Sequence, residues 1–236
     1  MKTYIWSLPT RIMHWLLALG FTFAYLSGQL EASLTFHSMF GILVFTVVIL
    51  RIIWGFIGPK YSRFSDFPIS PNSIIKFISG FKDKTLVYAG HNPMASLVML
   101  SILIVGLITA FSGMMLASTE GYGFLFLQSL GSNEELLEEM HEVFANFFLI
   151  LVGFHLLGLI VDSIKHKSLS TSLSMINGNK DIESESIKLS NTQKFYSYFA
   201  IFAIVAVMIL SYLNPVNDNE SNNKNQEQEQ TEEDDD

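Results

Sequence analysis

Five long apolar stretches, each about as long as a helix that crosses a bilayer, constrain this chain more than any other feature. They occupy approximately residues 12–29, 38–58, 94–117, 142–164 and 195–213. A helix needs about 20 predominantly apolar residues to cross the hydrocarbon core of a membrane. Half of the 236 residues are hydrophobic, and only 15% are charged. The sequence therefore predicts an all-α membrane protein with five transmembrane helices.

The polar segments divide the chain into four predicted parts. Residues 1–180 contain a four-helix transmembrane bundle, 181–194 a cytoplasmic linker, 195–213 a fifth C-terminal transmembrane helix and 214–236 a periplasmic tail. The tail is acidic and poor in apolar residues, a composition typical of disorder. The chain contains no cysteine, which excludes disulfides, thiolate-bound metals and iron–sulfur clusters held by this chain alone.

The connections between consecutive apolar stretches alternate in charge. Lysine and arginine occur before the first stretch, after the second and after the fourth, whereas residues 30–37 and 118–140 contain neither. Those two connections carry instead the acidic residues Glu31, Glu120, Glu134, Glu135, Glu138 and Glu139. Because cytoplasmic loops carry an excess of Lys and Arg, we expect a cytoplasmic N-terminus and periplasmic acidic connections.

One cytoplasmic segment has its own helical pattern. In SPNSIIKFISGFK, residues 70–82, the apolar side chains fall on one face of a helix. This pattern favours a short helix on the membrane surface, and a loop packed against the transmembrane helices is the alternative.

Four of the six histidines lie in or at the ends of apolar stretches: His14, His37, His141 and His155. Ionisable residues inside a membrane are costly and usually mark function. His141 and His155 are 14 positions apart, which on a helix gives about 21 Å along the axis and nearly the same face. They therefore belong to two sites at different depths. The alternating direction of the helices pairs His14 with His155 and His37 with His141.

The two other histidines fit structural roles better. His166 lies among lysines, where we expect a solvated side chain. His91 precedes Asn92 and Pro93, which suit the N-cap and the first turn of the third long helix.

Two facing imidazoles at membrane depth suit a haem iron with both axial positions filled, whereas zinc prefers four ligands. Small residues near the histidines, Gly41, Gly153 and Gly158, would let the flat macrocycle approach the helices. Arg51 follows His37 by 14 positions and so faces the same side, and Arg11 precedes His14 by three. We expect either arginine to pair with haem propionates, and the alternative is that each extends to the membrane edge.

Several motifs resemble the bacterial cytochrome b561 family, which is related to the b-type cytochrome subunits of nickel–iron hydrogenases. They are RIMHW, FHSMFG followed by RIIWGFIGPKYSRFSDF, GHNP, and HEVFANFFLILVGFH, and they cover about residues 4–180. The resemblance implies a four-helix core in the cytoplasmic membrane that binds two haems b. The ligands it implies are His14, His37, His141 and His155. The fifth helix and the acidic tail depart from the family's four-helix pattern.

The function expected from these features is transmembrane electron transfer in a respiratory chain. The chain would exchange electrons with the quinone pool and with a periplasmic c-type cytochrome or hydrogenase-like enzyme, and no nucleic acid is involved. One alternative is a self-contained quinone-linked oxidoreductase that acts on superoxide or ferric iron. Another is a haem-free transporter or anchor whose histidines pack or relay protons.

Charges near the two haems are also unequal. The inner haem has Arg51 and Arg11 near it, whereas the connections at the outer end contain no cation. We therefore expect a lower reduction potential for the outer haem. Glu138, three positions before His141, is a candidate hydrogen-bond acceptor for that imidazole.

Overall fold

The computed structural model describes residues 2–30, 34–83, 85–119 and 133–214, and these residues fold almost entirely into helices. The described helices are α1 (Leu8–Gln29), α2 (Leu34–Ile57), α3 (Pro71–Ser79), α4 (Pro93–Thr119), α5 (Glu134–His166), α6 (Ser170–Asn177) and α7 (Asn191–Leu213). Two short strands, β1 (Lys2–Tyr4) and β2 (Asn179–Asp181), and a 3₁₀ turn at Phe64–Asp66 complete the elements.

Four of the described helices are long and apolar enough to cross a membrane by length and composition: α2, α4, α5 and α7. Helix α1 is 22 residues long, but it is more polar because it contains Thr10, Arg11 and His14. The prediction of an all-α membrane protein is confirmed. That α1 also crosses the membrane, with α7 as a fifth transmembrane helix, stays a prediction.

Helices α1, α2, α4 and α5 pack into an antiparallel bundle around an apolar core. The core contains Phe21, Val44, Val48, Leu103, Val105, Ala110, Phe148 and Leu151. The ring centroids of Phe21 and Phe148 are 4.1 Å apart, and a Cβ at Gly106 would lie 2.7 Å from the Phe148 ring. Tyr25 donates a hydrogen bond to the Asn146 side chain at 2.9 Å, which ties α1 to α5.

Helix α7 covers a second face of α2. The packed residues are Met13, Leu43, Val47, Leu50, Trp54, Tyr196, Ala200 and Ile204. The Tyr196 hydroxyl donates to the Leu50 carbonyl at 2.7 Å, and its ring stacks on Trp54. Ser190 and Gln193 form a capping box at the start of α7. The Gln193 side chain also donates to the Ile57 carbonyl at 2.9 Å, so α7 runs antiparallel to α2.

A small polar assembly covers the end of the bundle where α1, α4 and α7 begin and α2 and α5 end; we call this the capped end. Strand β1 pairs antiparallel with β2, with Thr3 opposite Lys180. The amides of Ile5 and Trp6 donate to the Gly178 carbonyl, and Gly178 has a φ of 83°, which favours glycine. The domain boundary predicted at residue 180 therefore falls within β2. By pairing with β1, this strand joins the end of the predicted domain 1–180 to its beginning.

Helix α5 is longer than the apolar pattern indicated. It begins at Glu134 instead of about residue 142. Four glutamates that we expected in a periplasmic connection therefore lie in its first turns: Glu134, Glu135, Glu138 and Glu139. The side chain of Asn133 caps it by accepting from the Leu136 amide, and acidic residues favour the positive end of the helix dipole. Glu31, Glu120 and residues 215–236 of the tail lie outside the described residues.

The surface segment is helical, as predicted. Helix α3 begins after Ser70, whose side chain accepts from the Ser73 amide. Ile75 and Ile78 are exposed on it, and Phe81 is exposed just after its end. Its position on the membrane surface stays a prediction.

Candidate metal centres

The structure places the four membrane histidines in two pairs. His14 on α1 faces His155 on α5 with ring centroids 6.1 Å apart, and this pair lies toward the capped end. His37 on α2 faces His141 on α5 with ring centroids 5.9 Å apart. These are the pairs expected from the chain's topology. Because α5 is continuous from Glu134 to His166, its two histidines lie about 21 Å apart along the helix.

The spacing within each pair fits an iron ion between the rings. A metal bound by an imidazole nitrogen at about 2 Å on each side places the two ring centroids about 6 Å apart. The described residues contain no group of three or more His, Cys, Asp or Glu side chains that could hold a metal ion. Two imidazoles alone suit the axial positions of a haem, whose macrocycle supplies the other four ligands.

The backbone fixes the ring orientation of the second pair, His37 and His141. The His37 Nδ1 atom lies 2.9 Å from the Ala24 carbonyl of α1, and the His141 Nδ1 atom lies 2.9 Å from the Thr109 carbonyl of α4. A carbonyl only accepts, so each Nδ1 carries the proton and each Nε2 is left free to bind a metal. The Thr109 carbonyl, and not Glu138, is therefore the partner of His141, and the expectation for Glu138 is wrong.

The two carbonyls that hold these histidines share one local sequence pattern. Three positions after each carbonyl, a serine hydroxyl donates back to it, Ser27 to Ala24 at 2.8 Å and Ser112 to Thr109 at 2.9 Å. The next residue is a glycine in both cases. A Cβ at Gly28 would lie 3.3 Å from His37 Nδ1, and a Cβ at Gly113 would lie 2.7 Å from His141 Cε1.

The repeated Ser-Gly dipeptide thus lets an imidazole from the neighbouring helix approach the backbone. The motifs in the sequence did not single out Ser27, Gly28, Ser112 or Gly113. The signal that could have identified them is the recurrence of Ser-Gly near the same end of α1 and α4, in YLSGQL and AFSGMM.

The glycines named from the sequence have different surroundings. A Cβ added at Gly41, Gly153 or Gly158 would meet no described atom within 4 Å. Helix packing therefore does not explain these glycines. Gly41 is partly buried and lies one turn after His37 on α2, which suits close approach by a flat group between the helices.

Arg51 is buried and lies toward the capped end of α2. Its side chain is 7% exposed, donates to the Ser62 carbonyl at 3.3 Å and lies over the Phe64 ring. Its Nη1 atom is buried and has no hydrogen-bond partner among the described residues. Its positive charge is near enough to His14 to interact with that imidazole. A buried cation with only neutral partners is costly, so this site suits an anionic group such as a haem propionate.

Arg11 has a different partner. It donates to the Ile176 carbonyl near the C-terminus of α6, and Trp15 donates to the adjacent Met175 carbonyl at 3.0 Å. A cation at the C-terminus of a helix interacts favourably with its dipole. Arg11 therefore holds α6 against α1, and its pairing with a propionate stays a prediction.

Comparison with known protein families decides the identity of the bundle. A family model described as prokaryotic cytochrome b561 matches residues 5–178.

The chain belongs to the prokaryotic cytochrome b561 family.

The match includes the four paired histidines and both arginines, and it ends before α7. The family is one of transmembrane b-type cytochromes in electron transfer, which implies haem b as the cofactor. No curated protein and no solved structure matched the chain. The histidine pairs thus lie in the part of the chain that the family defines, and α7 lies outside it.

The two remaining histidines of this cytochrome are not simple surface residues. His91 packs between Trp6 and Phe67, with ring centroids 4.9 and 5.2 Å away, and its Nδ1 atom is buried without a described partner. Burial, together with the nearby charge of Arg51, lowers the pKa of His91 to about 3. His166 was expected to be solvated, but it is half-buried and lies 3.2 Å from the Asp162 carboxylate. Asn92 caps α4 as predicted, through the Ala95 amide.

Proposed function

We propose that this chain is a transmembrane electron-transfer cytochrome with two bis-histidine haems b. His14 and His155 would hold the haem nearer the capped end, and His37 and His141 would hold the other. The observation that supports the proposal is the presence of two imidazole pairs, each at the spacing of a haem iron, at two depths of the continuous helix α5. Each haem supplies a reversible one-electron couple when bound.

The protein's own residues determine what these centres can do. With two histidines at each iron, no position would be left for oxygen or substrate to bind. The Nδ1 hydrogen bonds of His37 and His141 would fix both rings in orientation and leave each Nε2 free to bind iron. Apolar side chains such as Phe21 and Phe148 fill the bundle between the two levels and exclude water. This arrangement favours electron transfer over substrate chemistry.

The capped end faces the cytoplasm in this proposal, and the membrane is the bacterial cytoplasmic membrane. Support comes from the distribution of charge. Lys60, Arg63, Lys165, Lys167 and Lys180 all lie in or next to the capped end. Because basic segments stay in the cytoplasm, the other end of the bundle and the chain after α7 lie in the periplasm.

The proposed redox partners are the quinone pool and a periplasmic protein. The exposed first turns of α5 carry Glu134, Glu135, Glu138 and Glu139. An acidic surface steers a basic partner such as a c-type cytochrome. The same charge repels superoxide, an anion, and so opposes the alternative of an oxidoreductase that acts on superoxide.

A vesicle experiment tests electron transfer across the membrane. The purified protein is reconstituted into liposomes that contain ascorbate, and ferricyanide is added outside. We expect external ferricyanide to be reduced faster than in liposomes without protein. His155→Ala should lower the rate to that background because it removes a ligand from one of the two levels, whereas His166→Ala serves as a matched control on the same helix. A wild-type protein that carries both haems and yet gives only the background rate would refute the proposal.

A further inference from the structure

We propose that Arg51 and His91 together bind one propionate carboxylate of the haem between His14 and His155. This site rests on the proposed function, because it presupposes a haem at that pair. The sequence motif GHNP contains His91, and the structure gives that histidine a role beyond packing next to the N-cap of α4.

The first support is the chemistry of Arg51. The ion pairs among the described residues are Lys60 with Glu185, Arg63 with Asp66 and His166 with Asp162, and none of them includes Arg51. Its hydrogen bonds go to the Ser62 carbonyl and, at 3.6 Å, to the Met99 sulfur, and Nη1 has no described partner. A guanidinium that is 7% exposed needs a negative charge to compensate its desolvation.

The second support is the position of His91. The imidazole is held between Trp6 and Phe67, and its buried Nδ1 atom has no described partner. Arg51 and His91 contact the same segment, residues 62–67, since Arg51 bonds Ser62 and His91 packs on Phe67. Arg51 and His91 are each near enough to His14 to interact with it electrostatically. Two nitrogen atoms in need of partners therefore lie near the same histidine pair.

The buried cations favour a carboxylate over a neutral acceptor such as a quinone carbonyl. The titratable and charged groups near His91 are Arg51 from α2, His155 from α5, Lys180 from β2 and His14 from α1. Lys180 is itself buried and donates to the Tyr88 carbonyl at 2.7 Å, and burial lowers its pKa. A neutral ligand would leave the Arg51 charge uncompensated, whereas a carboxylate accepts from a guanidinium and an imidazole N–H together.

Redox titration of matched variants tests this site. His91→Phe keeps an aromatic ring between Trp6 and Phe67 but removes Nδ1, whereas His91→Asn keeps a hydrogen-bond donor near the same position. We expect Arg51→Gln and His91→Phe to lower the midpoint of the same wave, the one that His155→Ala removes. His91→Asn should restore most of the wild-type midpoint. The double variant's shift should differ from the sum of the single shifts, because both residues act on one carboxylate.

A second readout does not depend on the potential. The resonance Raman band of propionate bending should shift in His91→Phe and return toward the wild-type position in His91→Asn. Two retained haems with unchanged midpoints and an unchanged band in His91→Phe would overturn the site and leave the proposed function intact. A shift confined to the wave that His37→Ala removes would also overturn it. A wild-type chain that binds no haem would overturn the proposed function itself.

Discussion

At the residue scale, a hydrogen bond at one ring nitrogen of a histidine determines which nitrogen is left to bind a metal. In His37 and His141 that hydrogen bond goes from Nδ1 to a backbone carbonyl of the neighbouring helix. Gly28 and Gly113, which follow the serines that donate to these carbonyls, leave room for the rings. The sequence could single out the four histidines that the structure brings together in two pairs, because ionisable side chains are rare in apolar helices. It could not predict the Ala24 and Thr109 carbonyls, since any backbone carbonyl is chemically equivalent until the helices are packed.

The first prediction concerns the glycine beside His141. A Cβ at Gly113 would lie 2.7 Å from His141 Cε1, and a Cβ at Gly106 would lie 2.7 Å from the Phe148 ring on the same helix pair. Both Gly→Ala variants should therefore be destabilised, by about 1–3 kcal/mol for overpacking. Only Gly113→Ala should also displace an imidazole and alter the spectrum or midpoint of one haem. Equal effects of the two variants on that haem would show that Gly113 has no specific role at His141.

At the scale of elements, α5 connects the two histidine pairs because it supplies one histidine to each. The apolar stretch at about residues 142–164 predicted its membrane part, and the 14-residue spacing put both histidines on nearly the same face. Its first two turns were missed because they are polar, although Asn133, which caps them, is a residue type that favours the start of a helix. The β1–β2 sheet was missed for a different reason. Three-residue strands leave almost no local pattern, and their pairing joins residues about 180 positions apart.

The acidic turns of α5 give a prediction at this scale. Replacing Glu134, Glu135, Glu138 and Glu139 with glutamine should weaken the salt dependence of electron transfer to a basic cytochrome c. The expected cause is the loss of electrostatic steering, which salt screens over about 8–10 Å. Stopped-flow rates at several ionic strengths measure the slope. Glu183→Gln with Glu185→Gln, near the capped end, is the control, and the same slope in all three proteins would count against docking at α5.

At the scale of the whole molecule, charge is distributed unequally along the bundle. The described cations lie at or beyond the capped end, while the first turns of α5 at the opposite end are acidic. Added electrons are stabilised by nearby positive charge, so the haem at His14 and His155 should have the higher potential. A unit charge at about 8 Å with an effective dielectric near 20 contributes about 2 kcal/mol, or about 90 mV for one electron.

A redox titration checks this difference in potential. We expect two waves in the wild type, and His37→Ala should abolish the lower one. Arg63→Gln, which breaks an exposed pair with Asp66, should leave both waves nearly unchanged. If His37→Ala abolishes the higher wave, the assignment of potentials to the two ends is reversed.

The most direct test of two bis-histidine haems is the haem content and spectrum of the wild type beside four single variants. We predict two low-spin haems b per wild-type chain and about one in each of His14→Ala, His37→Ala, His141→Ala and His155→Ala. His14→Ala and His155→Ala should lose the same haem, identified by its α-band and midpoint, and the other two variants should lose the other. One haem per wild-type chain, a high-spin spectrum that readily forms a carbon monoxide adduct, or loss of the same haem in His14→Ala and His141→Ala would contradict the account.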